Sequence, residues 1–361
     1  MLGCLLFVLL HNSCILQQFN NETIRDFTKL SLVSPALTDS TWSHADLWGA
    51  VRVRSSIGRN SYQVSPGLYK LGKPGSDSEV FVSANYKLSF DILRRELKGM
   101  DAWILVLQTN GVNVWCAAGK GTFGTDEIIR QIKETGLGNY VSHKRIIVPQ
   151  LGAPGVSAHK VKEGTGFSVK FGPVRAEDIK DYIAAGYKKD ELARSVLFNF
   201  KDRILLTPVE VMNSLKYLIL ALIFFALLSG IHLGGYSFPL IFEEGPIALI
   251  FLLTAYLTGA VLSPALLPWL PFRHFGGKGL IAGFLTSALM ILLIAPGQQA
   301  FGMIAWLLIS GAVSSFLAMN FTGASTYTGL SGVRKEMRFF VPLQIALSVI
   351  GITLLIISKL I

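Results

Sequence analysis

The sequence predicts an α/β domain followed by an all-α transmembrane bundle of five helices. Three observations carry this reading. First, 51% of the 361 residues are hydrophobic and 16% are charged, against about 25% charged in a typical soluble domain. Second, 46 of the 56 Lys, Arg, Asp and Glu residues lie in positions 1–210 and 10 in 211–361. Third, short apolar runs alternate with amphipathic patterns in the charged part, whereas the rest consists of long apolar stretches. The expected division is an N-terminal tail over 1–45, an α/β domain over 46–205 and a membrane domain over 206–361.

The opening MLGCLLFVLL is apolar, but it lacks the basic start and small-residue cleavage site of a signal peptide. It reads as a start-site extension or weakly ordered tail, which leaves Cys4 and Cys14 incidental. Strand-like runs then follow at Glu79–Ser83, Ala102–Gln108, Arg145–Pro149 and Phe167–Phe171. Helical patterns cover Leu88–Lys98, Asp126–Thr135 and Ala176–Ala185, with Thr125 as the expected N-cap of the second and Gly136 as its end. Continuous apolar strands followed by amphipathic helices imply a parallel sheet buried on both faces, a Rossmann-like or flavodoxin-like arrangement.

Five apolar stretches follow Pro208, at about 218–233, 246–267, 280–295, 301–321 and 339–358, each free of Lys, Arg, Asp and Glu. Their lengths bracket the roughly 20 residues that cross the hydrocarbon core. Basic residues alternate between the connections. Lys201, Arg203 and Lys216 precede the first span, Arg273 and Lys278 precede the third, and Arg334, Lys335 and Arg338 precede the fifth. The loop holding Glu243 and Glu244, and the Pro296–Ala300 turn, have none. The positive-inside rule then puts residues 1–210 in the cytoplasm and the C-terminus outside, in a multi-pass cytoplasmic (inner) membrane protein. Without an ionisable residue in a span, ion-coupled transport is disfavoured. Gly311 and Ser315 read as helix-packing positions.

The net charge of +10 is spread thinly. It lacks the aromatic-interleaved basic runs of a nucleic-acid groove, so the lipid bilayer is the expected partner. Three cysteines, Cys4, Cys14 and Cys116, with no C-x-x-C pair, cannot hold an iron-sulfur cluster. Any electron supply must come from another protein.

In parallel sheets ligands bind beyond the carboxyl ends of the strands, which directs attention to Ser83–Asp91, Asn110–Thr125 and Gln150–Gly155. The middle segment, NGVNVWCAAGKGTFGT, is not a phosphate loop, because Val114 and Gly121 stand where that motif needs Gly and Ser or Thr. It offers instead a thiol flanked by small residues, which leave a flat surface for a planar group. A first-turn position and Lys120 four residues on would both favour thiolate. Residue chemistry alone leaves a second reading open, an inert Cys116 buried beside Trp115.

The string Asn113-Val114-Trp115-Cys116-Ala117-Ala118-Gly119-Lys120 resembles, without a departure, the signature of the HgcA family, the corrinoid proteins of microbial mercury methylation. The likeness extends through Pro66–Tyr69, Asp77-Ser78, Asn85–Asp91, His143–Gly155 and Gly172–Arg175, and the five-span half is similar too. The resemblance implies a corrinoid-binding domain related to the large subunit of the corrinoid iron-sulfur protein. It implies a base-off corrinoid whose cobalt is bound from below by Cys116, the catalytic residue. A soft, electron-rich sulfur would favour departure of the opposite methyl group with its electrons, and Hg(II) would accept it to give methylmercury. The implied partners are a methyl donor or methyltransferase of one-carbon metabolism and a ferredoxin-like protein with two four-iron clusters.

The implied cofactor site comprises Ser83, Asn85, Ser89, the eight residues Asn113–Lys120 (Asn113, Val114, Trp115, Cys116, Ala117, Ala118, Gly119, Lys120), and the small loop Gly152, Ala153, Pro154 and Gly155. For Ser83 and Ser89, local capping competes with cofactor contact. His143 and His159 are assigned to structure or surface. Two alternatives stand beside this reading: a corrinoid methyl carrier for acetyl-CoA or methionine synthesis, and a membrane receptor or permease with a nucleotide-binding regulatory domain.

Overall fold

A computed structural model describes residues 34–294, 299–324 and 330–361, and Pro35–Ile361 forms one compact unit. The expectations for residues 1–20, with Cys4 and Cys14, lie outside the described residues.

The α/β part is built on six strands, β1 (Ala36–Thr38), β2 (Gly67–Leu71), β3 (Val80–Ala84), β4 (Ala102–Leu107), β5 (Arg145–Val148) and β6 (Ser168–Phe171), in the order β1-β2-β4-β3-β5-β6. Strands β4, β3, β5 and β6 run parallel. The expectation of a wholly parallel sheet is corrected at the other edge. There β2 pairs antiparallel with β4, and β1 joins β2 ahead of the Asp46 boundary. The sheet is mixed.

Burial on both faces explains why the central strands read as unbroken apolar runs. Val80, Val82, Ala84, Trp103, Leu105, Leu107, Ile146 and Val148 face one core, with helices α3 (Val114–Lys120), α4 (Thr125–Thr135) and α5 (Ala158–Thr165). Phe81, Ala102, Ile104, Val106 and Ile147 face the other, with α2 (Lys87–Glu96) and α6 (Ile179–Ala184). Each Val, Leu, Ile or Phe among them stabilises the fold by roughly 1.5–3 kcal/mol when fully buried. Gly136 ends α4 in the left-handed conformation, φ 61°, as expected. Thr125 does not cap that helix. Gly124 takes the extended N-cap position, and the Thr125 hydroxyl accepts instead from the Ser157 N–H at 2.8 Å.

Helix α1 (His44–Arg54) is fastened to α2 by ions. Asp46 pairs with Lys87 and, at 2.8 Å, with Arg94, while Asp91, 1% exposed, receives Lys87 at 2.7 Å and Arg94 at 2.8 Å. Burial alone would raise the Asp46 carboxyl. Hydrogen bonds from Lys87, from the Ser43 backbone and side chain and from Arg94 outweigh it and hold the group well below its ordinary value. A depressed carboxyl stabilises the fold above its unfolded pKa and loses that contribution as pH falls. Stability to denaturant should therefore decline as pH drops below about 4, the unfolded aspartate value. Asp46→Asn should be less stable at neutral pH, with a flatter acid limb. Parallel limbs for the two proteins would contradict the assignment.

After a short helix α7 (Glu191–Arg194), five helices among the described residues are long and apolar enough to cross a membrane. They are α8 (Phe200–Leu228), α9 (Phe238–Leu257, continued through a π turn to Ala265), α10 (Phe275–Ile294), α11 (Ala300–Asn320) and α12 (Leu330–Leu360). Parts of the connections expected as loops are helical: Glu243 and Glu244 lie in α9 and Lys278 in α10, while the approach residue Lys216 lies in α8. Of the carboxylates within these helices, Glu210 and Glu336 are bonded to groups of neighbouring helices. Glu210 accepts from Asn320 at 3.1 Å, and Glu336, 4% exposed, accepts from the Gly276 N–H at 2.6 Å. Small residues bring the helices close. A Cβ on Gly283 would lie 2.7 Å from the Ser310 carbonyl oxygen, and one on Gly311 would lie 2.4 Å from Phe284. Both positions read as packing sites.

Candidate functional site

Strand β3 is followed by β4 on one side, and β5 then lies on the other. The connections therefore diverge between the carboxyl ends of β3 and β5, where open α/β sheets form a crevice. A cavity of about 340 Å³ opens there. Its floor is Phe81, Val82 and Ser83 of β3 and Ile147 of β5. Ser89, Ile92 and Leu93 of α2 form one wall, Pro149, Leu151 and Gly172–Val174 another, and Asn113, Val114 and Trp115 the rim. The volume lies at the small end of the ligand-pocket range of about 300–1,000 Å³. The lining is largely apolar with a few hydroxyl and amide groups.

Helix α3 starts at this rim. Asn113 is its N-cap, and its Oδ1 accepts from the Cys116 N–H at 2.9 Å. This bond fixes the first turn and leaves the Cys116 thiol exposed, so the alternative of a buried, inert cysteine is excluded. Cys116 does not line the cavity itself. It lies next to Trp115, which is 42% exposed and does. Ala117 and Ala118 point the other way, into the core, at 0% and 6% exposure. Gly121 ends the helix with φ 81°, a left-handed position that only glycine adopts readily. Gly119 has open space where a Cβ would be, and Lys120 is exposed in the last turn.

Asn85 builds the loop before α3. Its Oδ1 accepts from the N–H groups of Thr109 (3.1 Å) and Gly111 (2.9 Å), and the Thr109 hydroxyl lies 2.8 Å away. Its Nδ2 donates to Gln108 at 2.6 Å and to Gln63 at 3.2 Å. The residue is 1% exposed and does not line the cavity. Ser83 lines the cavity while donating to the Ala84 carbonyl at 3.3 Å. Ser89 lines it from the first turn of α2, whose N-cap Tyr86 makes no side-chain cap.

The Gly152–Gly155 segment does not line the cavity. It forms a 3-10 turn over Gln150–Gly155 packed on α3. Its smallness permits this approach: a Cβ on Gly155 would sit 2.3 Å from the Phe123 carbonyl oxygen and 3.2 Å from the Ala118 Cα. Gly155→Ala should therefore destabilise the protein by about 1–3 kcal/mol, the usual cost of overpacking, and lower the melting temperature. An unchanged melt would mean that the turn moves freely against α3. His143 and His159 stand apart from the cavity. His143 Nε2 lies 3.0 Å from the Ser78 carbonyl oxygen, beside the start of β5, and His159 pairs with Glu163 on the surface.

Two contributors carried no sequence signal: Leu93 and Ile179 look like ordinary core residues, yet they line the cavity, as do Pro173 and Val174 of the Gly172–Arg175 stretch. Lys189 donates to Gln150 and to the carbonyls of Phe171 (2.7 Å) and Gly172 (2.9 Å), tying the end of β6 to the 3-10 turn. Burial lowers its pKa from the ordinary lysine value.

Fold and site together define a mixed α/β domain with a ligand crevice and a surface thiol, joined to five helices of membrane-spanning length. Residues 55–183, the part that builds the crevice, match the family described as CdhD, CO dehydrogenase/acetyl-CoA synthase delta subunit. The chain is similar to the acetyl-CoA decarbonylase/synthase complex subunit gamma of Archaeoglobus fulgidus, 30% identical over 135 residues, covering 37% of this chain and 28% of the relative. The corresponding subunit of Methanothermobacter thermautotrophicus is 32% identical over 127 residues, 35% and 27% of the two chains. The corrinoid/iron-sulfur protein large subunit of Moorella thermoacetica is 30% identical over 125 residues, 34% and 28%. The chain thus spans little more than a quarter of the length of these relatives, and the family match ends before the membrane-length helices.

Proposed function

We propose that the protein is a membrane-anchored corrinoid methyltransferase that delivers a methyl group to Hg(II), with Cys116 as the cobalt ligand. The observation that supports it is the exposed thiol on the first turn of α3, next to the rim of the β3/β5 crevice and inside residues 55–183, which match the CdhD family. The residues fit such a group in two respects. A soft sulfur suits cobalt in a macrocycle. The largely apolar cavity, with Ser83, Ser89 and Asn113 on its lining, would accept part of such a group beside the exposed Cys116.

A bound corrinoid supplies the metal that carries the methyl group. The protein's own part is to hold and orient it. Cys116 binds as the thiolate, since a ligating thiol gives up its proton. Asn113 fixes the turn that aims the sulfur, and Trp115 supplies an aromatic wall that excludes water from one side. Ser83 and Ser89 offer hydroxyls for peripheral amides. The buried Ala117 and Ala118, with the turn over Gln150–Gly155, hold α3 against the sheet. Asn85 acts on the loop ahead of α3, because its hydrogen-bonding groups are spent there.

Electrons come from a ferredoxin-like partner with two four-iron clusters, and methyl groups from a donor or methyltransferase of one-carbon metabolism. The distribution of Lys and Arg supports a cytoplasmic α/β domain in the inner membrane, with the C-terminus outside. A second reading, a methyl carrier for acetyl-CoA synthesis, is favoured by the names of the relatives. The deciding assay supplies corrinoid-loaded protein, a methyl donor and the reduced partner, and offers Hg(II) or an acetyl-CoA-forming acceptor. Methylmercury production is expected. Transfer only to the other acceptor would replace the proposal with the carrier reading.

A further inference from the structure

We propose that α1 is a membrane-surface helix whose outer face, Leu47, Trp48 and Val51, seats the α/β domain in the headgroup layer of the bilayer that α8–α12 cross. The helix is apolar on two sides. Its inner side is committed to protein: Ala50 and Val53 are buried in one cluster with Tyr86 and Leu88. Gly49 lies so close to Tyr62 that a Cβ would fall 2.2 Å from the phenol oxygen. Asp46 is held by Lys87 and Arg94. With that side locked, α1 cannot rotate to hide the other. Leu47, Trp48 and Val51 remain 48%, 69% and 55% exposed, a grouping that costs free energy in water.

Three observations select lipid as the occupant. The helix packs beside α8, the first of the membrane-length helices, so the patch belongs to an element that adjoins the membrane-length bundle. Tryptophan concentrates at membrane interfaces, where its ring is apolar and its N–H stays hydrated. Arg52 and Arg54 lie on the same helix, whose one carboxylate, Asp46, is already paired. An anionic headgroup layer would attract the arginines. A patch of three side chains is also far smaller than the roughly 800 Å² per partner of a stable dimer.

The test uses the full chain in nanodiscs of phosphatidylcholine and phosphatidylglycerol. On a Cys4→Ser, Cys14→Ser, Cys116→Ser background, a nitroxide is attached at Val51→Cys or, as a control at an exposed position of α4, at Lys133→Cys. Collision rates with lipid-soluble oxygen and a water-soluble nickel chelate are then compared. The label at 51 should favour oxygen several-fold, and the label at 133 should favour nickel. Adding Leu47→Glu and Trp48→Glu should turn the label at 51 toward nickel without lowering the melting temperature. Equal behaviour at 51 and 133 would overturn the proposal. So would shielding of 51 from both reagents, which would mean that a protein surface, such as a second copy, covers it.

Discussion

Replacing Cys116 by alanine is expected to lower methyl transfer by more than about 100-fold, the upper range for loss of even an indirect partner of a metal ligand. The fold should survive: the side chain is exposed, and exposed substitutions usually change stability by no more than about 0.5 kcal/mol. Cys116→Ser keeps the size and replaces soft sulfur with hard oxygen, so it should fail alike. The diagnostic measurement is the visible spectrum of the corrinoid-loaded protein, which should differ between wild type and both variants before any acceptor is added. Identical spectra and equal transfer rates for wild type and Cys116→Ala would end the axial-thiolate proposal. A changed spectrum with no transfer to Hg(II) by wild type would leave the ligand assignment standing and remove mercury as the acceptor.

The sequence exposes those parts of this structure whose physics is local. β3, β4 and β5 were legible because both of their faces are buried and, Ser83 and Arg145 apart, their residues are apolar. β1 and β2 were not. Gly67-Leu68-Tyr69-Lys70-Leu71 is short, opens on glycine and carries a lysine, and its antiparallel place depends on contacts with β4. The membrane helices were legible in number from their apolar centres, but not at their ends. Glu210 and Glu336 look like loop residues until Asn320 and the Gly276 N–H are seen to satisfy them. Thr125 shows the same limit on a smaller scale: a hydroxyl before a helix suggests a cap, yet its partner is Ser157, remote in sequence. At the candidate site, Asn113–Lys120 stood out because a cysteine among small residues is chemically unusual. The cavity beside it could not be read, since Leu93 and Ile179 acquire their meaning only when the strand ends meet. Gly152 and Gly155 were noticed for their size. Their use, close approach to Phe123 and Ala118, required the packing.

Asn85 joins the fold to the site, and Asn85→Ala should show it. The amide group engages Thr109, Gly111, Gln108 and Gln63 together. Truncation leaves buried backbone N–H groups at 109 and 111 without this acceptor, at about 1–3 kcal/mol for each group left unsatisfied, so a loss of roughly 3–5 kcal/mol is expected in denaturant unfolding. Asn85→Asp separates the two ends of the amide. It keeps the acceptor for Thr109 and Gly111 while losing the donor to Gln108 and Gln63, and should cost less. If Asn85 acts by positioning, the aspartate variant should still fold and bind corrinoid, but with a shifted spectrum, because the loop feeding Asn113 and the first turn of α3 has moved. A residue that touched the cofactor directly would lose binding affinity in both variants in proportion to the missing contact, with no matching loss of stability. A stability loss accompanied by an unshifted spectrum would instead make Asn85 a purely structural residue. The melt and the spectrum together therefore distinguish three roles for one buried side chain.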